Sequence, residues 1–194
     1  MRHLQRRLQR RLLRATGALR PEVVVFEVTH GCNATCVGCG FRDPEDGELP
    51  AEAWADLASQ ARAMGFTEAL ITGGEPLLRP DADALLRGVV AHLTVDLHTN
   101  GSLLRRHADL VAATTRTVFL SVDSADPSTF RALRGLGLPG IWRGIEALDG
   151  RVGVHARITV WASAVGQLRA LLDALGAHGV TEASLLAPDV GSQA

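Results

Sequence analysis

The sequence predicts an α/β fold built on a parallel sheet, and three observations carry that prediction. Short apolar runs of strand length recur at residues 22–29, 68–72, 94–98, 117–122, 152–160 and 182–187. The stretches between them are long enough for crossover helices and carry apolar residues at helical spacing. The Gly-, Asn- and Cys-bearing segments follow the strands' ends rather than precede their starts. Connections of this kind are right-handed, which puts the helices on the outside of the sheet. Periodicity alone does not separate an open doubly wound sheet from a barrel.

Taken in order, residues 1–20 stand apart: they hold seven Arg and no acid, leaving thirteen Arg against twenty-one Asp and Glu in the remainder. Leu4, Leu8, Leu12 and Ala15 recur at helical spacing, giving a basic amphipathic helix. Such a helix suits an anionic membrane surface or a nucleic-acid backbone. The reading adopted is that its leucines pack across one end of the domain, and no nucleic-acid partner is expected. Gly17 and Pro21 close it, and a single core domain is expected over residues 21–194. The first strand is the apolar-rich run from Glu22 to Val28, followed by a cysteine loop and a turn-rich segment at 41–47. Helices are predicted at 50–62, 81–92 and 103–113, then at 127–134 and 141–148 with Gly135, Gly137, Pro139 and Gly140 breaking the two apart, and at 164–178.

At 194 residues with 46% hydrophobic composition, the chain supports one domain with a sizeable core. No apolar run approaches the ~18 residues that cross a bilayer, and the arginine-rich start lacks the apolar segment of a secretory signal. All twenty basic residues other than His are Arg, and Tyr is also absent, a pattern read as coding bias. Three cysteines within eight residues and none elsewhere point to a reducing cytoplasm.

Those cysteines form the run His30-Gly-Cys32-Asn-Ala-Thr-Cys36-Val-Gly-Cys39 directly after the first strand. Three thiolates on one loop suit an iron–sulfur cluster or zinc. A disulfide would use two of them and does not fit a reducing compartment. A closed zinc site needs a fourth ligand, for which His30 is the nearest candidate, but zinc ligands usually come as two short pairs separated by a longer spacer. A [4Fe–4S] cluster on three cysteines leaves one iron free of protein and open to a ligand.

The spacing Cys32-x3-Cys36-x2-Cys39 resembles that of the radical S-adenosylmethionine enzymes, and further segments extend the resemblance over roughly residues 22–187. Ile71-Thr-Gly-Gly-Glu-Pro76 is similar to that family's Gly-Gly-Glu-Pro element, and His98-Thr-Asn-Gly101 to the usual end of strand three. Phe119-Leu-Ser-Val-Asp123 and the following Asp126-Pro-x3-Phe130-x2-Leu133-Arg134-Gly135 resemble the strand-four segment. The resemblance implies a partial (β/α)6 barrel whose working loops lie at the strands' C-terminal ends. It further implies a [4Fe–4S] cluster on Cys32, Cys36 and Cys39, with S-adenosylmethionine chelated to the fourth iron. Reductive cleavage to a 5′-deoxyadenosyl radical would then abstract hydrogen from a small-molecule, cofactor-precursor or peptide substrate. Reduction implies an electron donor of the flavodoxin or ferredoxin kind.

Roles follow residue by residue from that resemblance. Gly73 and Gly74 would admit the cofactor's methionyl ammonium close to the backbone, and Glu75 would accept a hydrogen bond from it. Asn100 and Ser121 would meet the ribose hydroxyls or the methionyl carboxylate, with Asn100 equally suited to a turn. Arg157 would pair with the carboxylate or with an acid on an outer face. His98, Asp123 and His155 either face substrate or pack. Gly38 stands where the family commonly has an aromatic residue; its backbone carbonyl remains, and Phe41 would supply the missing apolar surface. The segment order resembles the molybdenum-cofactor-synthesis and peptide-maturation branch. With Ala194 soon after the last strand, the open side of the barrel is expected to be poorly covered. A partner, an oligomer contact or a C-terminal segment would close it. The alternative is a non-catalytic iron–sulfur or zinc module, sensor or scaffold, which would have no need of the Gly73–Glu75 element.

Overall fold

The computed structural model describes residues 21–188; the helix expected over residues 1–20 and the end of the chain from residue 189 lie outside the described residues. Six strands alternate with helices: β1 (Val23–Glu27), α1 (Ala51–Met64), β2 (Glu68–Thr72), α2 (Ala82–Val90), β3 (Thr94–Thr99), α3 (Ala108–Thr114) and β4 (Thr117–Ser121). After these come α4 (Pro127–Arg134), α5 (Leu138–Leu148), β5 (Gly153–Thr159), α6 (Leu168–Ala177) and β6 (Glu182–Leu186).

The sheet order is β1-β2-β3-β4-β5-β6, parallel at every pairing. This resolves the choice that periodicity left open. A doubly wound sheet reverses its strand order at a switch point, whereas this one winds in a single direction, so the helices share one face. β1 and β6 remain separate edges, and the sheet is a partial barrel.

Alternation along each strand divides the two faces. Phe26, Ala69, Ile71, Val95, Leu97, Val118, Leu120, Ala156 and Ile158 are buried in one continuous core with the helices, each large side chain contributing about 1.5–3 kcal/mol. The concave face is polar. Across it the register aligns His98 with Phe119 and His155, and Ser121 with Arg157. The N-terminal end of that face is tied by Arg116, which donates to both oxygens of Glu68 at 2.9 Å and to Asp96 at 3.0 Å. At the open edges Val25 of β1 is 58% exposed and Leu185 of β6 is 54% exposed, so the outer face of β6 is thinly covered among the described residues.

Three element boundaries differ from the sequence reading by three residues or more. Pro139, read as a breaker, lies in the first turn of α5 behind Gly137, where its missing N–H costs nothing. The helix expected from 103 begins at Ala108, and the residues before it form successive turns, with Leu104 N donating to Gly101 O at 3.2 Å and Arg106 N to Leu103 O at 3.0 Å. The helix expected from 164 begins at Leu168 after a short 3-10 turn. Gln167, which ends that turn, is anchored by Ser124 at 2.6 Å and Thr129 at 3.1 Å.

Candidate metal and cofactor site

The cysteine loop leaves β1 at the C-terminal edge of the sheet and is pinned on three sides by backbone hydrogen bonds. Cys32 N donates to Arg42 O at 2.8 Å, closing the loop on itself. Thr35 N and Val37 N donate to the carbonyls of Arg134 and Leu133 at 3.0 and 2.9 Å. These carbonyls belong to the last turn of α4, where a helix leaves acceptors unsatisfied. On the third side Gly74 N and Glu75 N donate to Thr29 O and Gly31 O, both at 2.8 Å.

The two glycines are explained by that third contact. A Cβ on Gly73, whose φ is 129°, would fall on the Thr29 carbonyl oxygen, and one on Gly74 would fall on the Gly31 carbonyl oxygen. Their missing side chains therefore let the strand-two loop lie against the root of the cysteine loop. Both glycines still line the cavity that the loop encloses.

Glu75 is placed differently from the sequence expectation. It is fully buried and does not line the cavity. Its carboxylate accepts from Asn100 N at 2.7 Å, from Leu77 N at 3.1 Å, and from the Thr99 hydroxyl, which lies within 2.9 Å of both oxygens. Burial pushes its pKa up to about 7 against the pull of these donors. The side chain thus clamps the end of β3 to the strand-two loop, because its acceptor positions are already turned inward.

Asn100 lines the cavity with its carboxamide fully engaged. Oδ1 takes the Ser102 N–H and hydroxyl, while Nδ2 donates to Asn33 Oδ1 at 2.9 Å and points at Cys32 Sγ at 3.8 Å. The turn role is therefore present, and the amide nitrogen also neighbours Cys32 Sγ. Ser121 and Phe41 line the cavity, Phe41 edge-on to His30 at 5.0 Å. Gly38 does not line it; φ is 72° in the turn that brings Cys39 N to Cys36 O at 3.3 Å, a conformation an aromatic residue adopts only under strain.

The remaining candidates separate cleanly. Asp123 does not face open space. It receives a forked pair from Arg134 (Nε at 2.6 Å, Nη2 at 2.9 Å) and the Thr159 N–H at 2.7 Å. Arg134 in turn lines the cavity and directs Nη1 at Cys36 Sγ, 3.8 Å away. His98 lines the cavity, and burial, with the charges of Arg157 and Arg134, pushes its pKa down to about 4. His155 meets Ser184 at 2.8 Å and Glu182 at 3.2 Å near the open edge, outside the cavity lining. Arg134 and Asn33 stand inside the quoted motifs, but the sequence assigned neither a role at the site. For Arg134 the available signal was the Asp123…Arg134 pair inside the strand-four segment.

The fit to a cluster rests on these observations. Cys32, Cys36 and Cys39 are free thiols and all line one cavity of about 190 Å³ with Gly73, Gly74, His98, Ser121 and Arg134. Among the described residues no three His, Cys, Asp or Glu side chains gather around a single ion position. His30 is engaged elsewhere, its ring nitrogens 3.1 Å from Glu27 and 2.6 Å from Glu45. Two buried polar atoms, His98 Nε2 and Arg157 Nε, lack a hydrogen-bond partner among the described residues, and buried groups of this kind call for one. The neighbour of Arg157 across the sheet is Ser121 in the cavity wall. A larger cleft of about 510 Å³ lies at the opposite, N-terminal end of the strands and includes none of these residues.

Comparison with known proteins agrees with this geometry. Residues 26–161 match the family described as the Radical SAM superfamily. A probable GTP 3′,8-cyclase of Halobacterium salinarum is 32% identical over 168 residues, covering 80% of this chain and 47% of that protein. The mycofactocin maturase MftC of Mycobacterium ulcerans is 34% identical over 170 residues, covering 81% of this chain and 46% of its own length. The chain thus spans about half the length of these curated relatives. The crystal structure of Streptococcus suis SuiB bound to S-adenosylmethionine superposes with a TM-score of 0.78 at 21% identity, covering 89% of this chain and 42% of that one. A cyclase and a maturase accord with the branch read from the segment order. With the family profile extending over more than half of its length, from the first strand past the fifth, the chain belongs to the Radical SAM superfamily, whose enzymes use a [4Fe–4S] cluster and S-adenosylmethionine.

Proposed function

We propose that residues from 21 onward form the cluster- and cofactor-binding core of an enzyme that abstracts hydrogen from a small-molecule or peptide substrate. The observation that carries this reading is the meeting of three free thiols with the Gly73-Gly74 strip, His98 and Ser121 around one cavity. When bound, the cluster and S-adenosylmethionine supply one-electron cleavage of the sulfonium and the hydrogen-abstracting group. Cys32, Cys36 and Cys39 hold three irons. The Gly73-Gly74 backbone would border the methionyl end, and Ser121 and Arg157 would hold its carboxylate. His98, kept neutral by its surroundings, adds a ring nitrogen without adding charge. Phe41, in the cavity wall, would border the adenosyl side, with Gly38 outside that lining. Glu75 and Thr99 act one step back, holding Asn100 against Asn33 and Cys32.

The concave face, with Phe119 and His155, is the side open to substrate. A peptide is supported by the kinship to maturases and by the SuiB structure described as bound to precursor peptide SuiA. A flavodoxin- or ferredoxin-like donor would deliver the electron, in a reducing cytoplasm that keeps the thiols free. Among the described residues no helix is long and apolar enough to cross a membrane. The open edge between β1 and β6 is where a partner, a second copy or further chain would close the site. The test is anaerobic reconstitution: about four irons per chain are expected, lost when any of Cys32, Cys36 or Cys39 is replaced by Ala. A single tightly held zinc that resists exchange for iron would overturn the reading.

A further inference from the structure

We infer that Arg134 is a positioning residue for the Cys36 corner of the metal centre, a fixed counter-charge that sets how readily the centre accepts an electron. This rests on the proposed assignment of the three cysteines as ligands. Arg134 ends α4, and its own backbone carbonyl holds the cysteine loop through Thr35 N at 3.0 Å. Gly135, at φ 69°, makes that contact possible, since a Cβ there would collide with the Thr35 side chain. The same residue therefore docks the loop with its backbone and addresses the loop's middle sulfur with its side chain.

The helix end creates the need for the charge. The C-terminal end of a helix carries the negative end of its dipole, and α4 presents that end to the segment bearing Cys36. A thiolate there is disfavoured unless a cation intervenes. Arg134 supplies one, and it is not free to swing away. Its side chain is 15% exposed, forked onto an Asp123 that is 1% exposed, and Asp123 is itself fixed by Thr159 N of β5. With Nε and Nη2 committed to Asp123, the remaining nitrogen Nη1 is aimed at Cys36 Sγ at 3.8 Å. Arg131, in the same last turn, is exposed.

Reduction of the bound centre takes one electron from an external low-potential donor and breaks no bond; the added negative charge is shared with the thiolate ligands. A cation and an N–H directed at one sulfur stabilise the reduced form, and hydrogen bonds to the sulfurs are among the factors that set cluster potentials. Loss of Arg134 removes that stabilisation and leaves the buried Asp123 carboxylate uncompensated, which acts in the same direction.

The test is a spectroelectrochemical titration of the anaerobically reconstituted full chain, comparing wild type with Arg134→Gln, Arg134→Lys and, as control, Arg131→Gln. Iron content and thermal unfolding are measured on each. Arg134→Gln is expected to retain iron and fold, yet to show at least a tenfold lower ratio of reduced to oxidised centre at a fixed potential, about 59 mV for a one-electron couple. Arg134→Lys should fall in between, and Arg131→Gln should match wild type. Should Arg134→Gln not fold, Arg134→Lys decides alone, a midpoint below that of wild type supporting the inference. A wild-type midpoint in the Arg134 variants, or an equal shift in Arg131→Gln, overturns it while leaving the cluster assignment intact. A wild-type chain that binds no iron overturns both.

Discussion

Glu75 makes a prediction that reverses the usual behaviour of a buried carboxylate. Most carboxylates in ion pairs have lowered pKa values and lose stability in acid. Glu75 has no cationic partner among the described residues: its carboxylate accepts from two backbone N–H groups and one hydroxyl. Burial therefore wins, and its pKa rises from the ordinary 4.5 to about 7. The sign follows from proton counting. Between those values the folded state holds a proton that the unfolded chain has released, so stability falls as pH rises. The stabilisation is fully present below about pH 4.5 and is lost as pH passes through about 7. At ~1.4 kcal/mol for each pH unit separating the two values, the span is ~3 kcal/mol. Glu75→Gln keeps the shape without the titration. Urea unfolding of the reconstituted chain, anaerobic and at pH 5, 6, 7 and 8, should show the variant losing ground to wild type at pH 5 and regaining it by pH 8. A constant difference between the two across that range, or one that moves the opposite way, would refute the account of Glu75 as a desolvated clamp.

Other perturbations reach the same site by different routes. Gly74→Ala places a methyl on the Gly31 carbonyl and should cost about 1–3 kcal/mol of stability; Gly140→Ala, with open space around it, serves as control, and equal unfolding midpoints would show that the loop contact is not tight. Arg157→Met should weaken S-adenosylmethionine binding to the reconstituted protein by about 1.5–3 kcal/mol. Calorimetry giving an unchanged affinity would remove Arg157 from the cofactor site. Thr99→Val deletes a hydroxyl from the Glu75 clamp and should destabilise by about 1 kcal/mol with iron content retained, and full stability in that variant would contradict the clamp geometry.

Much of this architecture was legible in the sequence because each strand buries alternate residues against the helices and is rich in apolar residues over a short span. The cysteine spacing and the Gly-Gly-Glu-Pro and Thr-Asn-Gly segments were legible because they sit on loops, where residue types answer to chemistry more than to packing. What was not legible is which way each of these side chains turns. Glu75 lies beside the right glycines, yet Asn100 N and Leu77 N draw it inward. Asn100 satisfies a turn and a sulfur together. Arg134 is one of twenty arginines, and its sulfur neighbour Cys36 lies 98 residues earlier; only the fold brings them together. Pro139 misled because a proline that stops one helix also starts the next.

The central claim is that the three thiols and the strip beside them form a working site and not merely a metal holder. The most direct measurement is to add dithionite and S-adenosylmethionine to the anaerobically reconstituted protein and follow 5′-deoxyadenosine by chromatography. The account predicts its formation by wild type, and its absence when Cys36 is replaced by Ala. A four-iron protein that is reduced by dithionite yet leaves S-adenosylmethionine intact would contradict it.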